Sequence, residues 1–173
     1  MIDIRPEEPP DIPAIGEVHR SAFGGDTEAK IVEAVRASPG FIRDLSLVAL
    51  KDGRLVGHIL LSPVHIESGA STSPALALAP IAVLPGCQKQ GIGSLLVENG
   101  LMRCRELGHS IVIVVGEPAF YTRFGFTPAR ARGLEAPFPV PDEAFMVLEL
   151  PGGASGGITG MVCYPPTFLA GLE

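Results

Sequence analysis

Between residues 75 and 115 the chain carries an apolar run, a glycine-rich turn, a helical pattern and a second apolar run, "ALALAPIAVLPGCQKQGIGSLLV" and then "SIVIVV". The unbroken β-branched stretch after Ser110 suits a strand buried on both faces, the setting of parallel pairing. Ile92, Leu95, Leu96 and Met102 mark one face of the intervening helix, and Gly108 is placed to end it. Strand, turn, helix and strand in that order form a crossover unit, whose handedness is almost invariably right. The turn then lies at the carboxyl end of the first strand, where open α/β sheets bind ligands.

A glycine-rich turn opening a helix gathers unpaired backbone N–H groups and the positive end of a helix dipole, which suits phosphate. Gly86 and Gly91 have the spacing of a nucleoside-triphosphate loop, but Ile92 and Gly93 stand where Lys and Ser/Thr are required. As a dinucleotide fingerprint, Gly91-Ile92-Gly93-Ser94-Leu95-Leu96 has two of the three glycines and a leucine at the third. What remains is Gln88-Lys89-Gln90-Gly91-Ile92-Gly93, a Gln/Arg-x-x-Gly-x-Gly/Ala pattern.

The flanks extend the pattern. Ile2 to Arg5 alternates as a strand that Pro6 to Pro10 stops, and Asp11 is placed as the N-cap of a helix through Ile15, Val18 and Ala22. A second helical pattern through Ile31, Val32 and Val35 ends at Ser38-Pro39-Gly40. Strands over Leu45 to Leu50 and Leu55 to Leu61 flank Asp52-Gly53, a hairpin signal. "ESGASTSP" reads as a loop, and Pro80 interrupts the strand over Ala75 to Val83. Pro118 opens a short helix over Ala119 to Phe124, and Ala144 to Leu150 is a further strand. "PGGASGG" reads as a flexible connection to a last strand and terminal turn.

Three stretches resemble the GNAT superfamily of acyl-CoA-dependent N-acetyltransferases: "IDIRP" with the helix ending in "SAF", "LAPIAVLPGCQKQGIGSLLV", and "PAFYTRFGF". The resemblance implies an α/β (α+β) GNAT fold, a mixed central sheet with a bulged fourth strand and helices on both faces. It assigns 1–150 to the acetyltransferase domain and 151–173 to an extension docked on it. It also implies acetyl-CoA as cosubstrate, with no metal. Ile81, Ala82 and Val83 then lie along the acyl group, backbone N–H of Ile81 or Val83 polarises the thioester, and Gln88, Lys89, Gln90, Gly91, Ile92, Gly93 and Ser94 hold the pyrophosphate. Lys89 is either a phosphate contact or a solvated charge, since backbone amides suffice. Gln88 either belongs to the phosphate site or holds the loop by bonding backbone.

Tyr121, separated by three residues from Gly125-Phe126 and with its hydroxyl protonated at neutral pH, is the candidate donor to the departing thiolate; packing is the alternative. Many relatives place a basic glutamate on the fourth strand, and Ala75 to Val83 has none. Glu117 either serves as base or complements the helix opened by Pro118, with Glu28 and His58 as further options. His19, His109, Phe124 and Phe126 read as structural. The chemistry expected is direct acetyl transfer to a primary amine of a small molecule, peptide or protein. A non-catalytic acyl-CoA sensor or interaction domain is the alternative, motivated by the missing glutamate and by Phe120, where relatives often carry tyrosine.

The 173 residues suffice for a core without staples, and 13 basic against 19 acidic residues give a net charge of −6. That balance argues against nucleic-acid binding and favours a cationic partner. Three cysteines without a Cys-x-x-Cys pair indicate neither a disulfide framework nor a zinc site. With an acidic, proline-rich start and no membrane span, the expected location is cytoplasmic, and a homodimer is compatible with this reading.

Overall fold

The structure, a computed structural model, describes residues 1–151 and 157–172. They form two compact units, one of Met1–Ser62, Pro80–Arg103 and the segment from Pro166 onward, the other of Pro63–Ala79 and Cys104–Pro165. Strands β3 (Arg54–Ser68) and β4 (Ser71–Val83) and a later helix, Ile92–Glu106, contribute residues to both.

In the first unit, β1 (Ile2–Pro6) pairs antiparallel with β2 (Ser46–Lys51), and β2 pairs antiparallel with β3. Their hairpin turns on Asp52 and Gly53 at φ 51° and 83°, the left-handed pair that a type I′ turn demands. Alternation along β3 sends His58 and Leu60 to one face and Gly57, Ile59 and Leu61 to the other. On the first face Leu60 and Val48 pack with Ile15 of helix α1 (Ile12–Phe23) and with Val32 and Val35 of α2 (Thr27–Arg36). On the second face lies α3 (Ile92–Glu106). A Cβ on Gly57 would stand 3.1 Å from Leu96, and one on Gly100 would stand 2.9 Å from Leu61. These two glycines let α3 settle closely on β3, which fixes the axis of the helix that the glycine turn opens. The expected placement of helices on both faces is met within this unit.

Asp11 occupies the N-cap position of α1 but makes no side-chain cap bond. Arg5 takes its carboxylate instead, at 2.7 and 3.1 Å, with a further bond from the Glu8 N–H at 2.7 Å. The guanidinium wins because charge-assisted bidentate bonds outweigh a single neutral cap bond, and it holds the Asp11 carboxyl below the usual range.

In the second unit the end of β3 and the start of β4 are hydrogen-bonded neighbours, with Gly69 at φ 60° in the turn. The polar stretch expected to be a loop is therefore mostly strand, because backbone pairing needs no apolar side chains. β5 (Ile111–Val115) pairs parallel with β4 through Leu76–Val112 and Ala77–Ile113, and its other edge is antiparallel to β8 (Phe145–Glu149). The run expected as a parallel strand is thus parallel on one side only. After β5 come α4 (Pro118–Tyr121) and a 3₁₀ turn over Thr122–Phe124, closed by Gly125 at φ 98°. The expected helix over Ala119 to Phe124 is this pair, tightened in its second half. Two-residue strands β6 (Thr127–Pro128) and β7 (Leu134–Glu135) pair with β8 and with β9 (Gly160–Cys163) respectively, and β9 also pairs antiparallel with β3. Most of the glycine-rich connection expected at 151–157 lies outside the described residues. Among those described, no helix is long and apolar enough to cross a membrane.

Candidate functional site

The end of β4 presents its two faces unequally: Pro80 and Ala82 are buried, whereas Ala79, Ile81 and Val83 are half-exposed. Proline lacks an N–H, so ladder bonding from β4 is interrupted at residue 80. Leu84 donates its N–H to the Val56 carbonyl at 2.8 Å, tying the exit of β4 to β3. A 3₁₀ turn over Pro85–Cys87 follows, pinned under the loop by the buried Cys87.

The loop then reverses at Lys89, φ 62°, and Gly91, φ 84°. Two left-handed residues flanking Gln90 alternate the backbone's handedness, the arrangement that turns successive N–H groups toward one point and makes an anion nest. A left-handed lysine costs on the order of 1 kcal/mol or more, a strain typical of ligand-binding loops. The first helical bond given for this end runs from the Leu95 N–H to the Gly91 carbonyl at 3.1 Å, and the N–H groups of the turn precede it. These are the amides of the expected phosphate loop, at the positive end of a 15-residue helix.

The side chains of this loop do structural work. Gln88 donates to the Val83 carbonyl at 3.1 Å, the loop-holding alternative of the two readings open for it. Gln90 accepts from Lys51 Nζ at 2.7 Å, which ties the loop to the end of β2. Lys51 brings a second cation beside the turn. Nothing in the sequence marks it, because the two residues are 39 apart and meet only in the fold.

In the second unit Tyr121 ends α4 and is buried, with its ring edge-on to Phe120 at 4.9 Å and to Phe126 at 5.6 Å between centroids. A Cβ on Gly116 would come within 2.5 Å of its Cε2, so the ring is seated where only glycine leaves room. Burial pushes the phenol up to about 12. Phe126 is core as expected. Tyr164 packs against Phe138 at 5.6 Å, and burial pushes it to about 12 as well. Glu117 precedes α4 with an exposed side chain that makes no cap bond; its carbonyl accepts from the Phe120 and Tyr121 N–H groups, both at 3.1 Å.

His58 is fully buried in the first unit and both ring nitrogens are occupied. Nδ1 lies 2.8 Å from His19 Nε2, and Nε2 lies 2.8 Å from Ser46 Oγ. Ser46 donates to Glu7, whose carboxylate is paired with Arg36 at 2.7 and 3.0 Å. Burial, reinforced by the neighbouring His19 and Arg36, keeps His58 well below its ordinary pKa. Burial brings His19 down to about 4. His58 is not available as a base to any bound amine. The sequence offered no sign of this network, which joins residues of β2, β3, α1, α2 and the segment after β1.

Residues 3–129 match the family described as acetyltransferase (GNAT) domain. A relative from Escherichia coli K12, named as the uncharacterized N-acetyltransferase YhbS, is 37% identical over 166 residues, covering 95% of this chain and 97% of its own. A second from the same strain, YjhQ, is 38% identical over 135 residues, 77% of this chain and 74% of its own. The crystal structure of Escherichia coli YhbS in complex with CoA superposes with a TM-score of 0.87 at 34% identity, covering 96% of this chain and 91% of that one. A GNAT family acetyltransferase from Brucella melitensis, solved with acetyl-CoA, gives a TM-score of 0.78 at 32% identity, with 97% and 98% covered.

Proposed function

The chain belongs to the GNAT acetyltransferase family and is an acyltransferase; on that premise we propose that it transfers the acetyl group of acetyl-CoA directly to a primary amine of a small molecule, peptide or protein. The observation that carries this reading is the loop from Gln88 to Ser94, with left-handed Lys89 and Gly91 at the head of α3. That two similar proteins were solved with CoA and acetyl-CoA supports giving this loop the pyrophosphate.

In the proposed reaction the neutral amine nitrogen attacks the thioester carbonyl, a C–N bond forms, and the C–S bond breaks as thiolate departs. Backbone N–H of Ile81 or Val83 meets the developing oxyanion; Ala82 completes that edge of β4 with its side chain buried. A phenol near 12 against a thiol near 8.5 puts full proton transfer uphill by about 3.5 units, about 5 kcal/mol. Tyr121 therefore acts by hydrogen bonding to the thiolate, whose proton is supplied by the amine nitrogen through solvent. Glu117 is the proposed acceptor of the earlier proton, the one the ammonium form of the substrate loses before it attacks. Residues 1–150 form the acetyltransferase domain in this reading, and 151–173 its extension.

The test is free-thiol release from acetyl-CoA over a panel of amines. Release that depends on the amine and on enzyme supports transfer. Tight acetyl-CoA binding without amine-dependent release across small, peptide and protein amines would return the chain to the binding-module class.

A further inference from the structure

The pairing of β3 with β9 sets three metal-type donors together on one face. His65 and Cys163 are direct partners in the antiparallel register, as are Ile66 and Val162, and Glu67 and Met161. Ile66 and Val162 are buried, so alternation turns His65, Glu67 and Cys163 to the opposite face. Two of the three therefore face each other across the ladder and the third lies two residues along the same strand.

The donor atoms of these side chains, imidazole nitrogen, carboxylate oxygen and thiol sulfur, all lie within 4.8 Å of one another. His65 Nε2 and Glu67 Oε1 are 3.1 Å apart. In a tetrahedral site with bonds of about 2.0–2.3 Å, ligand atoms sit about 3.3–3.8 Å apart, so small side-chain rotations close the set around one ion. The backbone beneath is fixed. β9 is paired on both sides, with β3 and with β7, and a Cβ on Gly160 would fall 2.1 Å from the Glu67 carbonyl oxygen. Only glycine permits that approach.

The geometry points to a divalent zinc site formed by His65, Glu67 and Cys163, which joins the C-terminal strand to β3. Thiolate and imidazole together select a borderline-soft ion over calcium or magnesium, whose ligands are oxygens. On binding, the Cys163 S–H bond breaks, its proton passes to solvent and an S–Zn bond forms. A thiolate and a carboxylate balance the two positive charges, while neutral imidazole supplies the third bond. Three protein ligands leave a fourth position for water. The cysteine spacing hides this arrangement, because Cys163 lies roughly 100 residues from its partners and meets them through the pairing of β9. It stands against the metal-free expectation drawn from that spacing.

The experiment uses the full chain, stripped of metal and titrated with Zn²⁺ against a chromophoric chelator, and separately with Co²⁺ followed by absorption. The expected result is one equivalent bound, with a thiolate-to-cobalt charge-transfer band in the near ultraviolet and d–d bands of tetrahedral intensity. C163S should remove the charge-transfer band and weaken Zn²⁺ binding at least 100-fold, and H65Q and E67Q should each weaken it at least 10-fold. Absence of the band in the wild-type chain, or equal affinity in a folded C163S, overturns the assignment. If C163S does not fold, the wild-type cobalt spectrum still decides whether sulfur ligates.

Discussion

Replacing Arg36 by methionine removes the guanidinium and keeps most of the side chain's volume. Arg36 holds Glu7 through two bonds of 2.7 and 3.0 Å, and Glu7 is 4% exposed. Without Arg36 the carboxylate keeps its bond from Ser46 but loses its charge partner, and breaking a buried pair in this way costs about 3–5 kcal/mol. The surviving Ser46 bond and the slight exposure of Arg36 favour the low end, about 3 kcal/mol. For a chain of this length each kcal/mol moves Tm by roughly 2–4 °C, so R36M should melt about 6–12 °C below wild type. The double variant E7Q/R36M has no buried charge to leave unpaired and should recover at least half of that loss. Thermal unfolding followed by circular dichroism at pH 7 reads both. R36M melting within about 2 °C of wild type, or a double variant no more stable than R36M, would refute the argument that the buried carboxylate depends on its partner.

Four further outcomes are expected. G91V forces a β-branched residue to φ 84° and should weaken acetyl-CoA binding at least tenfold by calorimetry, about 1.4 kcal/mol; equal affinity in a folded variant removes the loop from the site. Y121F should lower kcat while acetyl-CoA affinity holds, because the lost bond strengthens only as the thiolate forms; an unchanged kcat with chemistry limiting makes Tyr121 a packing residue. E117Q should lower kcat/KM most at low pH and converge on wild type as more amine arrives neutral, whereas parallel pH profiles sink Glu117 as the base. Last, His19 near 4 when folded and near 6.5 when unfolded means the unfolded chain binds more protons between those values, so stability is lost as pH falls through that window. The loss at pH 5 is about 2 kcal/mol relative to pH 7 from His19, with His58 adding in the same direction; flat urea midpoints from pH 7 to 5 would contradict both assignments.

Periodicity made the crossover legible. Two apolar strands and an amphipathic helix leave few arrangements, and that pattern alone places the glycines of the turn. Asp52-Gly53 was equally direct, since few residue pairs accept two left-handed conformations. What the sequence withheld depends on contacts between distant segments. The seat of Tyr121 on Gly116 looks like an ordinary glycine after a strand, until a Cβ there is seen to collide with the ring. Lys89 gives no sign of its left-handed backbone, because lysine rarely adopts it and only the fold requires it. Two-residue strands such as β6 and β7 are too short to show any alternation.

The buried chain from Glu7 to His19 also narrows the search for a base. Glu7 accepts from Ser46, so the Ser46 oxygen must itself accept from His58, which places the His58 proton on Nε2. His58 Nδ1 then carries a lone pair and accepts from His19 Nε2–H. Each proton in the series points toward the carboxylate, and the lone pair left over, on His19 Nδ1, is buried without a protein partner among the described residues. A further proton on His58 would sit on Nδ1, facing the Nε2–H of His19 donor to donor, and would disrupt this order, in accord with its lowered pKa. The histidines therefore stay neutral at the pH where an alkylamine of pKa about 10.4 is neutral to only about one part in 2,500. In the reaction proposed above, removing that amine proton is assigned to Glu117, with solution as the alternative. If to solution, log kcat/KM rises with unit slope up to the amine's own pKa in every variant.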